Sequence, residues 1–308
     1  MSEAAFIGVD WGTSNARFAL CDEDGHALDV RKGPGAAESR GRFAEAFDSA
    51  VADWRRARRD LQALVCGMAG STLGWMEAPY LPCPADMFEL ADAAVKAGDG
   101  VLVVPGLCCT NPLGAPDVMR GEETQLLGAV EITGSLKNGY GLVCLPGTHT
   151  KWVALFDGAA QEFITAPTGE IFAALCDHTV LVRDQATPVV HRADDFQRGL
   201  AEARKHPGNL LHQVFQARSL RLDKQLSAEG AVSWASGLLI GADVNAALSL
   251  FATRPARAPV YVVGTPHLTS CYRSALELNG IDVMEIDGEQ AAMQGLAIIF
   301  QCRNGVRG

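Results

Sequence analysis

The chain has 308 residues, 48% of them hydrophobic, with 26 basic and 36 acidic side chains and a formal net charge of −10. That length exceeds a single hydrophobic core and predicts two domains, while the acidic balance excludes a nucleic-acid groove or an anionic membrane as the main partner. Nine cysteines without C-x-x-C or Cys/His ligand spacing, no signal peptide at the N-terminus and no run of 18 apolar residues predict buried thiols in a reducing, cytoplasmic setting.

Residues 5–10, 15–22 and 26–31 read as a three-strand meander, with Glu23-Asp24-Gly25 as a turn. A helix is predicted over 40–58, because Phe43, Phe47, Val51 and Trp54 recur at helical spacing and Arg55, Arg56, Arg58 and Arg59 complement its C-terminus. The apolar strand Ala63–Cys66 runs into Gly67–Trp75, a glycine-rich loop too long for a hairpin turn and of the kind that lines sites. A helix near 86–97 and a strand over Val101–Val104 continue a βαβ rhythm, which predicts a mixed or parallel sheet flanked by helices. The first domain is expected to close around Pro112–Pro116. A helix over 120–133, a second meander over 140–165 and a largely helical, charged region over 170–255 follow. The strand Pro259–Val263 then ends in Gly264-Thr265-Pro266-His267, and a last helix over 289–301 carries Ala291, Ala292, Gly295 and Ala297, small enough to admit a close neighbour.

The most informative feature is an internal echo. Asp10-Trp11-Gly12-Thr13-Ser14-Asn15 opens a stretch ending in Ala19-Leu20-Cys21-Asp22, and 135 positions later Leu145-Pro146-Gly147-Thr148-His149-Thr150 opens one ending in Ala154-Leu155-Phe156-Asp157. A Gly-Thr turn between strands exposes backbone N–H groups and a hydroxyl without bulk, which suits a phosphate chain; two such turns facing each other would grip it from both sides. Asp10 is a carboxylate at the end of an apolar strand, costly unless paired or metal-bound, so beside such a turn it is expected to orient hydrated Mg²⁺. Leu145 stands at the equivalent place in the second turn, which leaves that turn only N–H groups and hydroxyls. His149 reads as a structural imidazole, and Lys151 either meets an anion or is a surface group. Glu122 and Glu123 open the helix over 120–133, where the helix dipole favours acids; either could also accept a hydroxyl proton as that oxygen attacks phosphorus. P-loop, strand-linked G-x-G-x-x-G, G-x-S-x-G and H-E-x-x-H motifs are absent from the sequence.

These features resemble the actin, sugar-kinase and heat-shock-chaperone ATPase superfamily. The resemblance implies an α/β fold of two ribonuclease-H-like domains, with mixed sheets flanked by helices and an interdomain cleft that holds ATP and Mg²⁺. On this pattern the N-terminal domain covers 1–116 and is joined by the C-terminal helix 289–308, and the second covers 117–288. Gly12, Thr13, Ser14 and Asn15 match the first phosphate turn, Gly147, Thr148, His149 and Thr150 the second, and Val262–Thr265, including Gly264 and Thr265, the adenosine segment. Arg120–Gln125 matches the first connecting helix, where an acidic or amide residue is catalytic, and Ala292–Ala297 the second. Closer still, Gly70–Tyr80, Met119–Gln125 and Leu145–Trp152 are similar to hallmark segments of the 2-dehydro-3-deoxygalactonokinase family. That similarity implies transfer of the γ-phosphoryl of ATP to the 6-hydroxyl of 2-dehydro-3-deoxy-D-galactonate. Arg120, in preference to Arg17, would hold the substrate carboxylate, while Ser71, Thr72, Trp75 and Lys151 complete the expected contacts. An exopolyphosphatase-like phosphohydrolase and an ATP-gated binding protein are the alternatives. A small-molecule sugar acid and ATP are the expected partners, with no nucleic acid or membrane, and the sequence leaves a homo-oligomer open.

Overall fold

The computed structural model describes residues 3–182, 191–252 and 258–306; residues 183–190 and 253–255 of the expected helical region lie outside them. In chain order, β1 (Phe6–Trp11), β2 (Asn15–Cys21) and β3 (Ala27–Pro34) form the first meander, and α1 (Phe43–Ala57) leads to β4 (Gln62–Gly67). Next come β5 (Tyr80–Pro82), α2 (Met87–Asp92), β6 (Val95–Gly98), β7 (Val101–Val103), β8 (Gly106–Thr110), β9 (Pro116–Met119) and α3 (Glu122–Thr133). The second meander is β10 (Tyr140–Leu145), β11 (Thr150–Phe156) and β12 (Ala159–Ala166). Helices α4 (Thr168–His178), α5 (Ala193–Lys205), α6 (Leu210–Val214), α7 (Gln216–Leu222) and α8 (Ala228–Leu250) precede β13 (Val260–Gly264), α9 (Pro266–Leu278), β14 (Val283–Asp287) and α10 (Gly288–Arg303).

The two large sheets repeat one plan, as the echo predicts. The six-stranded sheet has the order β3-β2-β1-β4-β7-β6 and the five-stranded sheet β12-β11-β10-β13-β14; a small third sheet is β5-β8-β9. In both large sheets the first meander strand pairs with a parallel partner, β1 with β4 and β10 with β13. A parallel pair requires a long crossover, which is why helices separate these strands in sequence.

The chain divides into two compact units, Met1–Gly141 with Val153–Ile164 and Ile286–Gly308, and Leu142–Trp152 with Thr165–Glu285. The first unit thus runs past the boundary expected at 116, because α3 packs along α10 and stays with it. Their backbones touch: a Cβ at Gly128 would fall on the Ala291 carbonyl oxygen, and one at Gly295 on that of Thr124. Within this unit β1 is buried on both faces. Ile7, Val9 and Trp11 meet Phe43, Phe47, Val51 and Trp54 of α1 in one core. The alternate residues face α10, where Phe6 stacks on Phe300 at 5.0 Å and Gly8 lies beneath Met293 and Leu296.

One expected element is corrected. The helix predicted over 86–97 ends at Asp92, and Val95–Gly98 is instead β6, antiparallel to β7. Helix α8 has 23 residues and a mean hydropathy of 1.3, enough to cross a membrane by length and composition, yet 72% of its apolar window is buried, as in the core helix of a globular unit. All nine cysteines are free thiols, five of them buried.

Candidate active site

Asp10 lies on the α10 side of β1 by the alternation just described, paired in register with Arg17 on β2 and Cys66 on β4. Its carboxylate accepts a weak hydrogen bond from the Cys66 thiol at 3.9 Å. Burial raises its pKa first, the charge of Glu122 raises it further, and the Cys66 bond and Arg17 oppose the shift. The two carboxylates thus repel each other. Hard divalent cations take oxygen ligands of this kind, so the donor set fits Mg²⁺. The adjoining turn exposes Thr13, Ser14 and Asn15, with Gly12 partly exposed. It is fastened from behind by the segment after β3: Ala36 N–H donates to the Gly12 carbonyl at 2.9 Å, Ala37 N–H to that of Thr13 at 3.1 Å, and Trp11 Nε1 to that of Pro34 at 3.1 Å.

The two glutamates of α3 part company. Glu123 is fully buried, and its carboxyl accepts from the Gly121 N–H at 2.6 Å and the Thr124 hydroxyl at 3.0 Å. Burial, then the charge of Glu122, pushes its pKa up to about 8. Glu122 is partly exposed, accepts from the Arg120 N–H at 3.1 Å and acts on Asp10 electrostatically. Of the two, Glu122 is the one that combines a carboxylate near Asp10 with access from outside.

Arg17 forms an ion pair with Glu289, and among the described residues its buried Nε has no acceptor. Arg120 lies over the Tyr80 ring, 4.2 Å from its centroid, and donates from Nη2 to the Ala78 carbonyl at 2.8 Å and from Nε to the Tyr80 hydroxyl at 3.3 Å. Among the described residues its Nη1 has no acceptor, and it points at Gly70 in the glycine-rich loop. Ser71 is partly exposed and Thr72 exposed on that loop. Trp75 is half-buried and packs against the core of the first unit, 6.0 Å from Trp11 and 5.3 Å from Phe47 between ring centroids.

In the second unit, Gly147 is partly exposed and Thr148 and His149 are exposed on the turn between β10 and β11. His149 Nε2 lies 2.7 Å from Glu170 Oε2, and Glu170 N–H donates to the Thr148 carbonyl at 3.0 Å, so the start of α4 holds the turn. Gly264 lies against Pro146, with Thr265 exposed at the N-cap of α9. One expected contact is corrected. Thr150 is fully buried, its hydroxyl 2.8 Å from that of Tyr272, because the pleat of β11 turns it to the same face as Trp152. Lys151 is 4% exposed and donates to the His149 carbonyl at 3.4 Å, so it is no surface group.

Sequence reasoning missed Asp243. It sits in α8 and accepts from Trp152 Nε1 at 2.9 Å, the Thr168 hydroxyl at 2.8 Å and the Tyr272 hydroxyl at 2.7 Å. Burial raises its pKa and these three donors oppose the rise. The carboxylate ties β11, α4, α8 and α9 together behind the second turn. A lone aspartate within the apolar run Leu238-Leu239-Ile240-Gly241-Ala242-Asp243-Val244 was the available signal.

Residues 10–299 match the family described as 2-keto-3-deoxy-galactonokinase. The chain is 36% identical over 306 residues to DgoK1 of Rhizobium meliloti (strain 1021), assigned as a 2-dehydro-3-deoxygalactonokinase, covering 95% of each chain. It is 34% identical over 298 residues to the 2-dehydro-3-deoxygalactonokinase of Escherichia coli (strain K12), covering 96% of this chain and 97% of that one. A crystal structure of a Sinorhizobium meliloti protein assigned to the same activity superposes with a TM-score of 0.86 at 35% identity, covering 96% of this chain and 98% of the other. By sequence along nearly its whole length and by fold, this chain belongs to the 2-keto-3-deoxy-galactonokinase family.

Proposed function

We propose that the protein is an ATP-dependent kinase that phosphorylates the 6-hydroxyl of 2-dehydro-3-deoxy-D-galactonate, a step in galactonate breakdown, in the cytoplasm. The observation that carries the chemistry is the Asp10–Glu122 carboxylate pair beside an exposed Gly-Thr turn. Phosphoryl transfer needs positioning and charge neutralisation more than covalent chemistry. Glu122 accepts the proton of the attacking hydroxyl, a role worth roughly 10²–10⁴ in rate. Glu123 is set aside as the base because both its oxygens are engaged inside the protein. Asp10, through water, would hold Mg²⁺, which when bound neutralises charge on the phosphates.

Gly12 to Asn15 and Gly147 to His149 present N–H groups and hydroxyls to phosphate oxygens, and Gly264 with Thr265 serves the adenosine. Arg120, with a donor to spare, takes the substrate carboxylate, and Ser71 and Thr72 offer hydroxyls to the sugar chain. A coupled assay of ADP release, run with and without the sugar acid, tests the reading. A kinase stays nearly silent until the sugar acid is added. Equal ADP release without it would mean a phosphohydrolase, and ATP binding with no turnover on any sugar acid would mean a binding protein.

A further inference from the structure

We propose that His191, His267 and Cys271 form a binding site for a zinc-class divalent ion in the second unit, separate from the magnesium chemistry above. The ligand atoms of the three side chains lie within 4.8 Å of one another. His267 and Cys271 stand four residues apart on α9, one turn on the same helix face, and Pro266 opens that helix. His191 comes from the segment before α5, and no spacing in the sequence announces it. Its ring packs on Phe196 at 5.2 Å and meets His267 edge-on at 5.4 Å, and the neighbouring Arg192 N–H is tied to Ser233 Oγ at 2.8 Å.

Histidines kept for structure normally donate to a carbonyl or carboxylate. Among the described residues neither ring of this pair has a hydrogen-bond partner, and neither does the Cys271 thiol. Both rings are exposed while Cys271 is 5% exposed, so the thiol forms a floor and the imidazoles an entrance. Burial, then the nearby His267, lowers the pKa of His191. Burial pushes the Cys271 thiol up to about 11; binding a metal ion would displace that proton to solvent and leave the thiolate as ligand.

Two imidazoles and one thiolate are a borderline-soft set. They select zinc over magnesium or calcium, which take oxygen. Zinc bonds of about 2.0–2.3 Å place tetrahedral ligands roughly 3.5 Å apart, so a small rotation of the exposed rings closes the set and leaves a fourth position to water. The ion would clamp the first turn of α9 directly after Gly264–Thr265.

Titration of the reduced, metal-stripped protein with Co²⁺, the spectroscopic stand-in for zinc, tests this. One ion per chain is expected, with a thiolate-to-cobalt charge-transfer band that Zn²⁺ abolishes by displacement and Mg²⁺ does not. His191→Ala and His267→Ala, both at exposed positions, should each weaken binding by about 10-fold or more, Cys271→Ser should remove the band, and Cys83→Ser should leave it. Zn²⁺ should also raise the melting temperature of the wild type and fail to do so in the two histidine variants. The histidine variants decide the matter even if Cys271→Ser does not fold. No Co²⁺ binding by the wild type, a band that survives both histidine substitutions, or a band lost in Cys83→Ser would overturn the proposal.

Discussion

Adjacent glutamates at one helix start differ in fate because the helix turns about a quarter circle between them, sending Glu123 inward and leaving Glu122 at the surface. Glu122→Gln is expected to lower kcat by roughly 10²–10⁴ with little change in KM for the sugar acid, whereas Glu123→Gln should spare kcat. Steady-state kinetics of both variants separates the two; equal, mild losses would return Glu122 to a helix-dipole role. Glu123 makes its own prediction through pH. Its pKa rises from an ordinary 4.5 to about 8 on folding, so between those values the folded protein keeps a proton that the unfolded chain has lost. Stability from this group is therefore lost as pH rises through that window. Relative to wild type, Glu123→Gln should gain stability from pH 5 to 9 in denaturant titrations, and a constant difference would contradict the assignment. Asp10→Asn should abolish most turnover and leave the circular dichroism spectrum intact; near-normal kcat at saturating Mg²⁺ would remove its proposed role. The turn residues and the Asp10 environment were legible because Gly, Thr and a strand-end Asp each have a narrow physical meaning. Thr150, Lys151 and Trp75 were not, because their direction is set by strand pleat and loop path, which no local pattern announces.

The meanders and α1 follow from local pattern, and the small residues of α10 do admit a neighbour. Gly128→Leu should cost about 1–3 kcal/mol or more, since the side chain would meet the backbone of α10 and one helix must move; thermal unfolding checks this. In the second unit, Tyr272→Phe removes one donor to Asp243 and the partner of Thr150, and is expected to cost about 1–3 kcal/mol by the same measurement. The alanine-rich stretch after Asp92 looked helical, but pairing with β7 outweighs that propensity and makes β6. The sheet β5-β8-β9 left no periodic trace because its strands are three to five residues long.

At the scale of the molecule, one plan serves twice: an antiparallel meander, a parallel fourth strand and helices supplied by the crossover. The echo at Asp10 and Leu145 is the sequence signature of that repetition, and Leu145 in place of an aspartate makes the two turns differ in chemistry while sharing a shape. Family membership and this repeated frame point to phosphoryl transfer; which oxygen receives the group is the central claim. Phosphorus NMR of the product, formed from MgATP and 2-dehydro-3-deoxy-D-galactonate, tests it most directly. A phosphomonoester signal coupled to the two protons at carbon 6 is the result expected. Inorganic phosphate beside ADP with no ester signal, or an ester coupled elsewhere on the sugar acid, would contradict it.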